Sequence, residues 1–265
     1  MKPLRAENIL KGLKTRCFGQ SILCLEKVGS TNDIILKMAE EGAPEGLVAL
    51  AEAQTKGRGR QGRSWSSASG KSLTFSLLLR PKIRTEEFSE ITLAAAVAIA
   101  KTLEDYRFQP RIKWPNDLLL KEKKVCGILT EWGPPRDKMA SLVLGVGLNL
   151  NQGAKDFPRA LRSGATSLYR FSGKKVDRVR FLQSLLIHLE ETYGWVTQRR
   201  FSKVLSEWRK RSDTLGRQVK LTQGSRIFYG QAVDLDEKGA LLVRTDTGII
   251  ERVTSGDVQL LKIRN

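Results

Sequence analysis

The chain has 265 residues, of which 40% are apolar and 28% are charged, and its formal net charge is +18 at pH 7. This length suffices for one good-sized domain with a smaller one, or for two comparable domains. No apolar run approaches the roughly 20 residues that span a bilayer, and the beginning of the chain lacks the apolar stretch and cleavage site of a signal peptide. We therefore expect a cytoplasmic protein without a membrane segment, and the basic charge predicts an acidic partner.

The first predicted elements alternate between helix and strand. Ser30-Thr31-Asn32-Asp33 precedes an apolar helical run, so we expect Ser30 or Thr31 to cap a helix that Gly42 ends. A short strand over Gly46–Ala53 is followed by a polar, glycine-rich loop and by a second strand, SLTFSLLL, at 72–79. The alanine-rich run 91–103 is apolar nearly all round, which predicts a buried helix.

The later elements separate into a helical part and a part made of short strands. We predict strands around Arg111–Lys113, Val125–Trp132 and Ser141–Leu150, and helices over Arg178–Gln198 and Phe201–Arg211. From Asp213 onwards, five short strand-like runs are separated by turns that contain glycine and aspartate. This pattern predicts a small β-barrel appended to an α+β body. The expected domains are 1–212, with 1–20 as a short extension, and 213–265.

Cysteine and histidine usage excludes several classes of site. Cys17, Cys24 and Cys126 form no CxxC pair and one of them would be left over, so neither a disulfide framework nor a zinc site is expected. We interpret them as small buried apolar residues. The single histidine, His188, lies in an amphipathic helical run, where a packed histidine is expected rather than a catalytic one. Most histidine-dependent catalytic triads are thereby excluded.

A glycine–arginine loop, GRGRQGR at 57–63, is the first segment with a chemical signature. Glycine lets the backbone approach a ligand closely, and arginine binds carboxylate or phosphate oxygens bidentately. The combination suits a loop that closes over an anionic ligand, although its composition also fits a solvated basic loop or an RNA-binding element. Ser69-Gly70-Lys71-Ser72 resembles the end of a phosphate-binding P-loop, but Trp65 stands where the first glycine is required.

Three further segments combine polar residues with tight turns. In KWPND at 113–117, Asp117 could ligate Mg²⁺ or fix Lys113, and Asn116 could bind a base or a phosphate; the segment also reads as a simple turn. The run KKVCGILTE at 123–131 predicts a hairpin return with a lysine at its mouth. In GVGLNLN at 145–151, alternate glycines permit close approach of a ligand on one face of a strand.

Together and in this order, the segments STN, GRGRQGR, KWPND, KKVCGILTE and GVGLNLN resemble the biotin–protein ligase family, with the small C-terminal β-domain completing the pattern over residues 22–263. The resemblance implies a mixed-sheet catalytic domain followed by an SH3-like barrel. It also implies an enzyme that uses ATP, Mg²⁺ and biotin to form biotinyl-5′-AMP. Biotin is then transferred to a lysine of a biotin carboxyl carrier protein, whose surface around that lysine is expected to be acidic.

The family pattern assigns roles to individual residues. The residues expected to bind biotin are Ser30, Thr31, Asn32, Gln54, Gly57, Arg58, Gly59, Arg60, Lys124, Gly127, Gly145 and Gly147. Those expected to bind ATP are Arg58, Arg63, Trp65, Lys113, Asn116, Asp117 and Asn149, with Asp117 as a candidate Mg²⁺ ligand. Arg60, Lys113 and Lys124 are the expected catalytic residues, because the reaction brings two anions together and needs fixed positive charge.

The sequence departs from the family pattern at two places. Gln61 occupies a loop position that is often basic in the family. Longer members carry an N-terminal winged-helix domain, whereas only about 20 residues precede the catalytic pattern here, so operator binding is not expected. A lipoate-type acyl-protein ligase and a nucleic-acid-binding module are the alternative functions, and both a monomer and a homodimer stay open.

Overall fold

The computed structural model describes residues 3–136 and 139–261, which form two β-sheets with helices packed on the larger one. The helices are α1 (Ala6–Leu10), α2 (Thr31–Glu40), α3 (Phe88–Asp105), α4 (Leu168–Ser172), α5 (Arg178–Thr197) and α6 (Phe201–Arg211). The strands of the larger sheet are β1 (Ile22–Val28), β2 (Val48–Gln54), β3 (Ser72–Leu79), β4 (Arg111–Lys113), β5 (Asp117–Leu120), β6 (Lys123–Arg136) and β7 (Met139–Asn149). Those of the smaller sheet are β8 (Gln218–Gln223), β9 (Arg226–Leu235), β10 (Leu241–Thr245), β11 (Ile250–Val253) and β12 (Asp257–Leu260).

The larger sheet is mixed and has the strand order β1-β2-β3-β7-β6-β5-β4. The pair β1–β2 is parallel, and the pairs from β2–β3 to β4–β5 are antiparallel. The smaller sheet is antiparallel, with the order β11-β10-β9-β8-β12. The predicted fold class, a mixed sheet flanked by helices with a small C-terminal β-domain, is confirmed.

Different helices cover the two faces of the larger sheet, because side chains alternate between the faces along each strand. On one face, large side chains such as Phe75 and Leu144 belong to the main core, which includes apolar residues of α3 and α5. On the other face, Leu78 and Val143 pack with the apolar side of α2. The helix α3 is buried along most of its length, as its alanine-rich sequence predicts, and it contacts α5 and α6 as well as the sheet.

Trp114 joins the two sheets. It is buried, its indole Nε1 donates a hydrogen bond of 3.2 Å to the carbonyl oxygen of Gly239, and its backbone N–H donates one of 2.9 Å to Thr214 Oγ1. Both acceptors lie beyond the last helix, in the part of the chain that builds the smaller sheet. The segment 113–117 is therefore held between the two sheets rather than exposed as a free turn.

Most predicted elements are found, with ends shifted by a few residues. The helix expected over 91–103 extends over Phe88–Asp105, and the strand expected from Gly46 begins at Val48. Gly42 follows the first long helix with a φ of 85°, as expected of a glycine that ends a helix. The elements that were not predicted are the short helices α1 and α4, the edge strand β1 and the short strand β5.

The cysteines and the histidine lie in ordinary structural positions. Cys126 is buried, and burial raises the pKa of its thiol, whereas Cys17 and Cys24 are half-buried. His188 lies on α5, where its Nε2 is 2.8 Å from Oδ2 of Asp105 on α3. Every helix in the described ranges is too short or too polar to cross a lipid bilayer.

A buried ion pair ties the helical layer to the larger sheet. Arg178, at the start of α5, has an exposed side-chain fraction of 2%, and its Nη1 lies 2.7 Å from Glu52 Oε2 on β2. Glu52 also accepts hydrogen bonds from the backbone N–H groups of Leu4 and Gly70. Burial raises the pKa of Glu52, but these hydrogen bonds and the charge of Arg178 outweigh it, so the pKa lies below its ordinary value.

Replacement of Arg178 by methionine should lower the free energy of unfolding at neutral pH by about 3–5 kcal/mol, because a buried carboxylate loses its partner. The stabilisation that a carboxylate with a lowered pKa provides is present above its unfolded pKa and is lost as the pH falls through its folded pKa. The deficit of Arg178→Met should therefore shrink towards about pH 3. Urea unfolding of both proteins at several pH values in this range measures the deficit.

Arg180→Met is the matched control, since the Arg180 side chain is 83% exposed. This replacement should lower the free energy of unfolding by no more than about 0.5 kcal/mol. Equal losses in the two variants would contradict the assignment.

Candidate active site

A cavity of about 370 Å³ opens on the face of the larger sheet that carries α2. The helix covers only the part of this face near Leu78 and Val143. Beyond the N-terminus of α2, the same face presents small or polar residues, among them Thr74 on β3 and Gly147 on β7, which are paired in register. The cavity exists because this half of the face has neither a helix nor large side chains to fill it.

Three glycines form the floor of the cavity. Gly127 on β6 is paired with Gly147 on β7, and Gly145 lies two residues further along the same face. A Cβ atom at Gly145 would overlap the amide of Asn32, and one at Gly147 would overlap the indole ring of Trp65. The alternate glycines that the sequence analysis singled out therefore make room for polar and aromatic side chains above the sheet.

A hydrogen-bond network fixes the N-terminus of α2 at one end of the cavity. Gln54 Oε1 accepts hydrogen bonds from the backbone N–H of Thr31, at 2.7 Å, and from its hydroxyl, at 2.9 Å. Ser76 Oγ lies 2.7 Å from Thr31 Oγ1 and 2.5 Å from Asn32 Oδ1. Ser30, Thr31 and Asn32 are buried, so their polar atoms are held in fixed positions.

The expected capping of α2 by its own hydroxyl groups is wrong. Ser30 occupies the N-cap position with an extended backbone, but its side chain makes no capping hydrogen bond. The side chain of Gln54, from the end of β2, accepts from the first turn instead. A glutamine on a neighbouring strand thus satisfies the helix terminus, and the capping residue could not be identified from local sequence.

Arg58 is held by two carboxylates on the same side of the cavity. Its Nη2 lies 2.7 Å from Asp33 Oδ1 and 3.0 Å from Glu131 Oε2, and Glu131 also accepts a short hydrogen bond from Asn32 Nδ2. The hydrogen bonds to Asp33 and Glu131 raise the pKa of Arg58. One end of the glycine–arginine loop is therefore fixed to α2 and β6 without a ligand.

The other end of the cavity is lined by cationic side chains. Lys124 Nζ lies 2.6 Å from Asp117 Oδ1, and Arg60 Nη1 donates a hydrogen bond of 3.3 Å to Asn116 Oδ1. Lys113 also lines the cavity. Burial and the nearby charge of Arg63 lower the pKa of Arg60, against the opposite effect of Asp117 and Asp257. The basic groups of the loop and of the segment 113–124 are thus brought together around one space.

Trp65 lies in the middle of the cavity, above the glycine floor. Its ring has Lys124 Nζ at 5.8 Å from the centroid, within the range of a cation–π contact. Its indole N–H is buried and has no hydrogen-bond partner among the described residues. The ring lies against the glycine floor, where a Cβ atom at Gly147 would overlap it. An unsatisfied buried donor is costly, so a polar ligand atom within its reach would be stabilising.

Two further parts of the chain complete the wall. Phe157 and Leu161, in the loop that follows β7, line the cavity opposite the glycine–arginine loop. Asp257, at the start of β12, also lines it, and its Oδ2 lies 2.5 Å from Arg63 Nη2. The smaller sheet therefore contributes directly to the rim of the cavity.

Nearly all the residues predicted from the sequence line this one cavity. Of the predicted set, the exception is Gly57, whose backbone pairs with that of Trp65 at the base of the loop. A Cβ atom at Gly57 would approach the Gln54 side chain to 2.8 Å, so Gly57 shapes the loop. Asn149, at the far end of β7, is buried and accepts a hydrogen bond of 2.7 Å from Gln152 Nε2.

Sequence reasoning missed four kinds of lining or supporting residue. Thr74 and Ser76 alternate as polar residues within an otherwise apolar strand, and this alternation was a usable signal for a polar cavity face. Glu131 ends the quoted run KKVCGILTE but was given no role, although it accepts from Arg58 and Asn32. The loop residues Phe157 and Leu161 and the distant Asp257 carry no local pattern, because only the tertiary fold brings them to the cavity.

Comparison with known proteins identifies the family. Residues 25–149 match the model of the biotin/lipoate A/B protein ligase family, and residues 214–261 match that of the biotin protein ligase C-terminal domain. The bifunctional ligase/repressor BirA of Bacillus spizizenii is 37% identical over 97% of this chain and 79% of its own length. The chain belongs to the biotin–protein ligase family. The resemblance inferred from the motifs is confirmed.

Other ligases of the family show the same extent of similarity. A biotin–[acetyl-CoA-carboxylase] ligase of Mycobacterium tuberculosis is 33% identical over 89% of this chain and 87% of its own length. Among solved structures, the biotin protein ligase from Aquifex aeolicus in complex with biotin and ATP superposes with a TM-score of 0.80 at 32% identity. The superposition covers 92% of this chain and 99% of that chain, so both sheets of this ligase are included in the likeness.

Substitution of Gly145 by alanine should displace Asn32, because the added Cβ would overlap an amide that is itself bonded to Ser76 and Glu131. We expect a loss of about 1–3 kcal/mol in the free energy of unfolding and at least about tenfold weaker binding of biotin, measured by urea unfolding and by calorimetric titration. Gly29→Ala is the control, since a Cβ there meets nothing within 4 Å. Unchanged biotin binding in Gly145→Ala would contradict the placement of Asn32 in the ligand site.

Proposed function

We propose that this protein activates biotin with ATP to form biotinyl-5′-AMP and transfers the biotinyl group to a lysine of a biotin carboxyl carrier protein. The observation that carries the proposal is the division of one cavity into two ends. One end offers the fixed hydrogen-bonding groups of Thr31, Asn32 and Gln54 beside Arg58, whose charge is balanced by two carboxylates, and the other gathers lysine and arginine side chains around a tryptophan. This arrangement suits a ligand with a neutral polar head and a reacting anionic end.

The neutral end suits the ureido ring of biotin. The ring has two N–H donors and one carbonyl acceptor, and the hydroxyl and amide groups of Thr31, Asn32 and Gln54 can satisfy both types. Their burial and mutual hydrogen bonds hold them in place before biotin binds. The thiophane ring and the valeryl chain would then run through the cavity towards Lys124, past Trp65, which lies on the glycine floor.

The cationic end suits the adenylation step. A carboxylate oxygen of biotin attacks the α-phosphorus of ATP, a new oxygen–phosphorus bond forms, and the bond to pyrophosphate breaks. Two anions must approach each other, so Arg60, Lys113 and Lys124 would lower the barrier by electrostatic stabilisation. Lys124 is paired with Asp117 in the ligand-free protein, and it would exchange this partner for the biotin carboxylate and the α-phosphate.

The nucleotide would occupy the outer part of the cavity. Trp65 offers an aromatic face, and Arg58, Arg63, Asn116 and Asn149 offer groups for the phosphates, ribose or base, with Phe157 and Leu161 as an apolar wall for adenine. Within residues 3–136 and 139–261, no cluster of three histidine, cysteine or acidic residues could hold a metal ion. Asp117, whose carboxylate lies at the cationic end beside Lys124, is the residue that would hold an Mg²⁺ ion bound with the phosphates.

The transfer step needs little acid–base assistance from the protein. The uncharged amine of the acceptor lysine attacks the acyl carbon of the mixed anhydride, an amide bond forms, AMP leaves with the electron pair of the broken acyl–oxygen bond, and the proton lost by the amine nitrogen passes to solvent. His188 lies on α5, outside the cavity, so no histidine is assigned a part in this step. The glycine–arginine loop and the loop with Leu161 would exclude water, which otherwise hydrolyses the anhydride.

ATP–pyrophosphate exchange tests the first half-reaction. Purified protein with Mg²⁺ should exchange label between pyrophosphate and ATP when biotin is added, and not with lipoate or without an added acid. The family model covers both biotin and lipoate ligases, so exchange with lipoate alone would favour the alternative acyl-protein ligase. Absence of exchange with either acid, from folded protein, would contradict the proposed function.

Replacement of Lys124 by alanine should reduce biotin-dependent exchange by about 10² to 10³-fold, because one fixed cation is removed from the reacting centre. Lys123→Ala is a matched control, since Lys123 is the preceding residue of β6 and its side chain is exposed. The control should retain exchange within about twofold of the unaltered protein. Similar activity in the two variants would show that Lys124 is not the group that acts on the anions.

A further inference from the structure

The segment 157–176 carries an unbalanced positive charge. It contains five basic residues, namely Arg159, Arg162, Arg170, Lys174 and Lys175, and it contains no acidic residue. The arginines that make hydrogen bonds use backbone carbonyls: Arg162 donates to Phe157, and Arg170 donates to Arg162 and Ala165. None of the five pairs with a carboxylate in the part of the chain that the structure describes. Their charge is therefore not cancelled locally.

This segment also exposes apolar side chains. Leu161 is 45% exposed and Phe171 is 39% exposed, and Lys121, from the turn between β5 and β6, places its Nζ 5.5 Å from the centroid of the Phe171 ring. Arg159, Lys174 and Lys175 are exposed around them. We call residues 157–176 together with Lys121 the basic face. Exposed apolar groups surrounded by uncancelled charge are typical of a surface that binds a macromolecule.

The basic face adjoins the reacting centre. The backbone N–H of Lys124 donates to the carbonyl of Gly164 at 2.8 Å, and the N–H of Thr166 donates to the carbonyl of Lys124 at 2.9 Å. The helix α4, which begins two residues after Thr166, has five residues and is about 7 Å long. Lys174 and Lys175 follow it, and the next residue, Val176, donates its backbone N–H to Asn151 Oδ1 at 2.8 Å, two residues beyond Asn149, which lines the cavity.

We propose that the basic face is the docking surface for the acceptor protein and that it recognises an acidic surface around the target lysine. The inference rests on the proposed function, because the target lysine must reach the mixed anhydride through the mouth that this face borders. An acidic protein domain complements the five basic residues and buries Leu161 and Phe171. Electrostatic attraction between a basic and an acidic surface raises the association rate of two proteins by about 10 to 10³-fold at low salt.

A nucleic acid is the other anionic partner that the charge would attract. Binding of single-stranded nucleic acid without sequence preference relies on several exposed aromatic rings on which bases stack. On the basic face Phe171 is the exposed ring, Phe157 is buried and Tyr169 is half-buried. A protein acceptor must also bring its lysine to the cavity mouth in each turnover, so it would contact the adjacent basic face. These observations favour the protein acceptor.

The test reverses two charges of the basic face, in Lys174→Glu/Lys175→Glu. The charge-matched control is Lys14→Glu/Lys82→Glu, since both lysines are exposed and lie outside the basic face. The probe is an acidic biotin carboxyl carrier domain, and its transfer kinetics are measured at low and at physiological salt. Biotin-dependent pyrophosphate exchange is measured without carrier, and binding of a labelled RNA oligonucleotide is measured in parallel.

The expected result is a decrease of about tenfold or more in kcat/KM for the carrier at low salt in Lys174→Glu/Lys175→Glu, with pyrophosphate exchange unchanged and the control within about twofold. The difference should shrink at physiological salt, where the Debye length is about 8 Å. Unchanged carrier transfer in the reversed variant overturns this proposal alone, and loss of RNA binding with unchanged transfer reassigns the face to nucleic acid. Absence of biotin-dependent exchange in the unaltered protein overturns the proposed function and, with it, this inference.

Discussion

The site depends on one constraint, which is the unequal covering of the two faces of the larger sheet. One face is packed against α3 and α5 with large apolar side chains, and the other is covered by α2 for only part of its length. Gly127, Gly145 and Gly147 keep the uncovered part flat, so that Asn32 and Trp65 can lie directly on the sheet. Side chains of ordinary size at Gly145 and Gly147 would overlap Asn32 and Trp65 and would displace these groups from the wall of the cavity.

The charge distribution explains how such a site works without a catalytic histidine or cysteine. Arg58 is held by the two carboxylates of Asp33 and Glu131, whereas among the described residues Lys124 pairs with Asp117 and Arg60 donates to the neutral Asn116. The charge of Arg58, which positions the loop, is thus balanced by two carboxylates. The charges of Lys124 and Arg60, which we propose face the reacting anions, are neutralised less completely. An anionic ligand gains most where the protein has left cations incompletely neutralised.

Sequence reasoning reached the elements and residues whose signal is local. Composition or periodicity is distinctive in the strand SLTFSLLL, in the alanine-rich helix α3 and in the loop 57–63. The motifs also predicted that Ser30, Lys124 and Asn149 belong to one site, and all three line the same cavity. Local sequence could not show that Gln54 caps α2, that Leu161 closes the cavity or that Asp257 contacts Arg63. Each of these contacts depends on long-range packing. The edge strand β1 was missed because its residues are mostly half-buried and do not alternate between buried and exposed positions.

The hydrogen bond from the Trp114 indole to the Gly239 carbonyl also bears on how this ligase can be engineered. Trp114 sits between Lys113 and Asn116, and its other hydrogen bond goes to Thr214. The C-terminal part is therefore not an interchangeable module, although its sheet is formed by its own strands. A chimera that takes this part from a relative must keep a hydroxyl at the place of Thr214 and a glycine at that of Gly239, where φ is 81° and a Cβ atom would overlap Leu93. Otherwise the graft would alter the geometry of the nucleotide end of the cavity, even if both halves fold correctly.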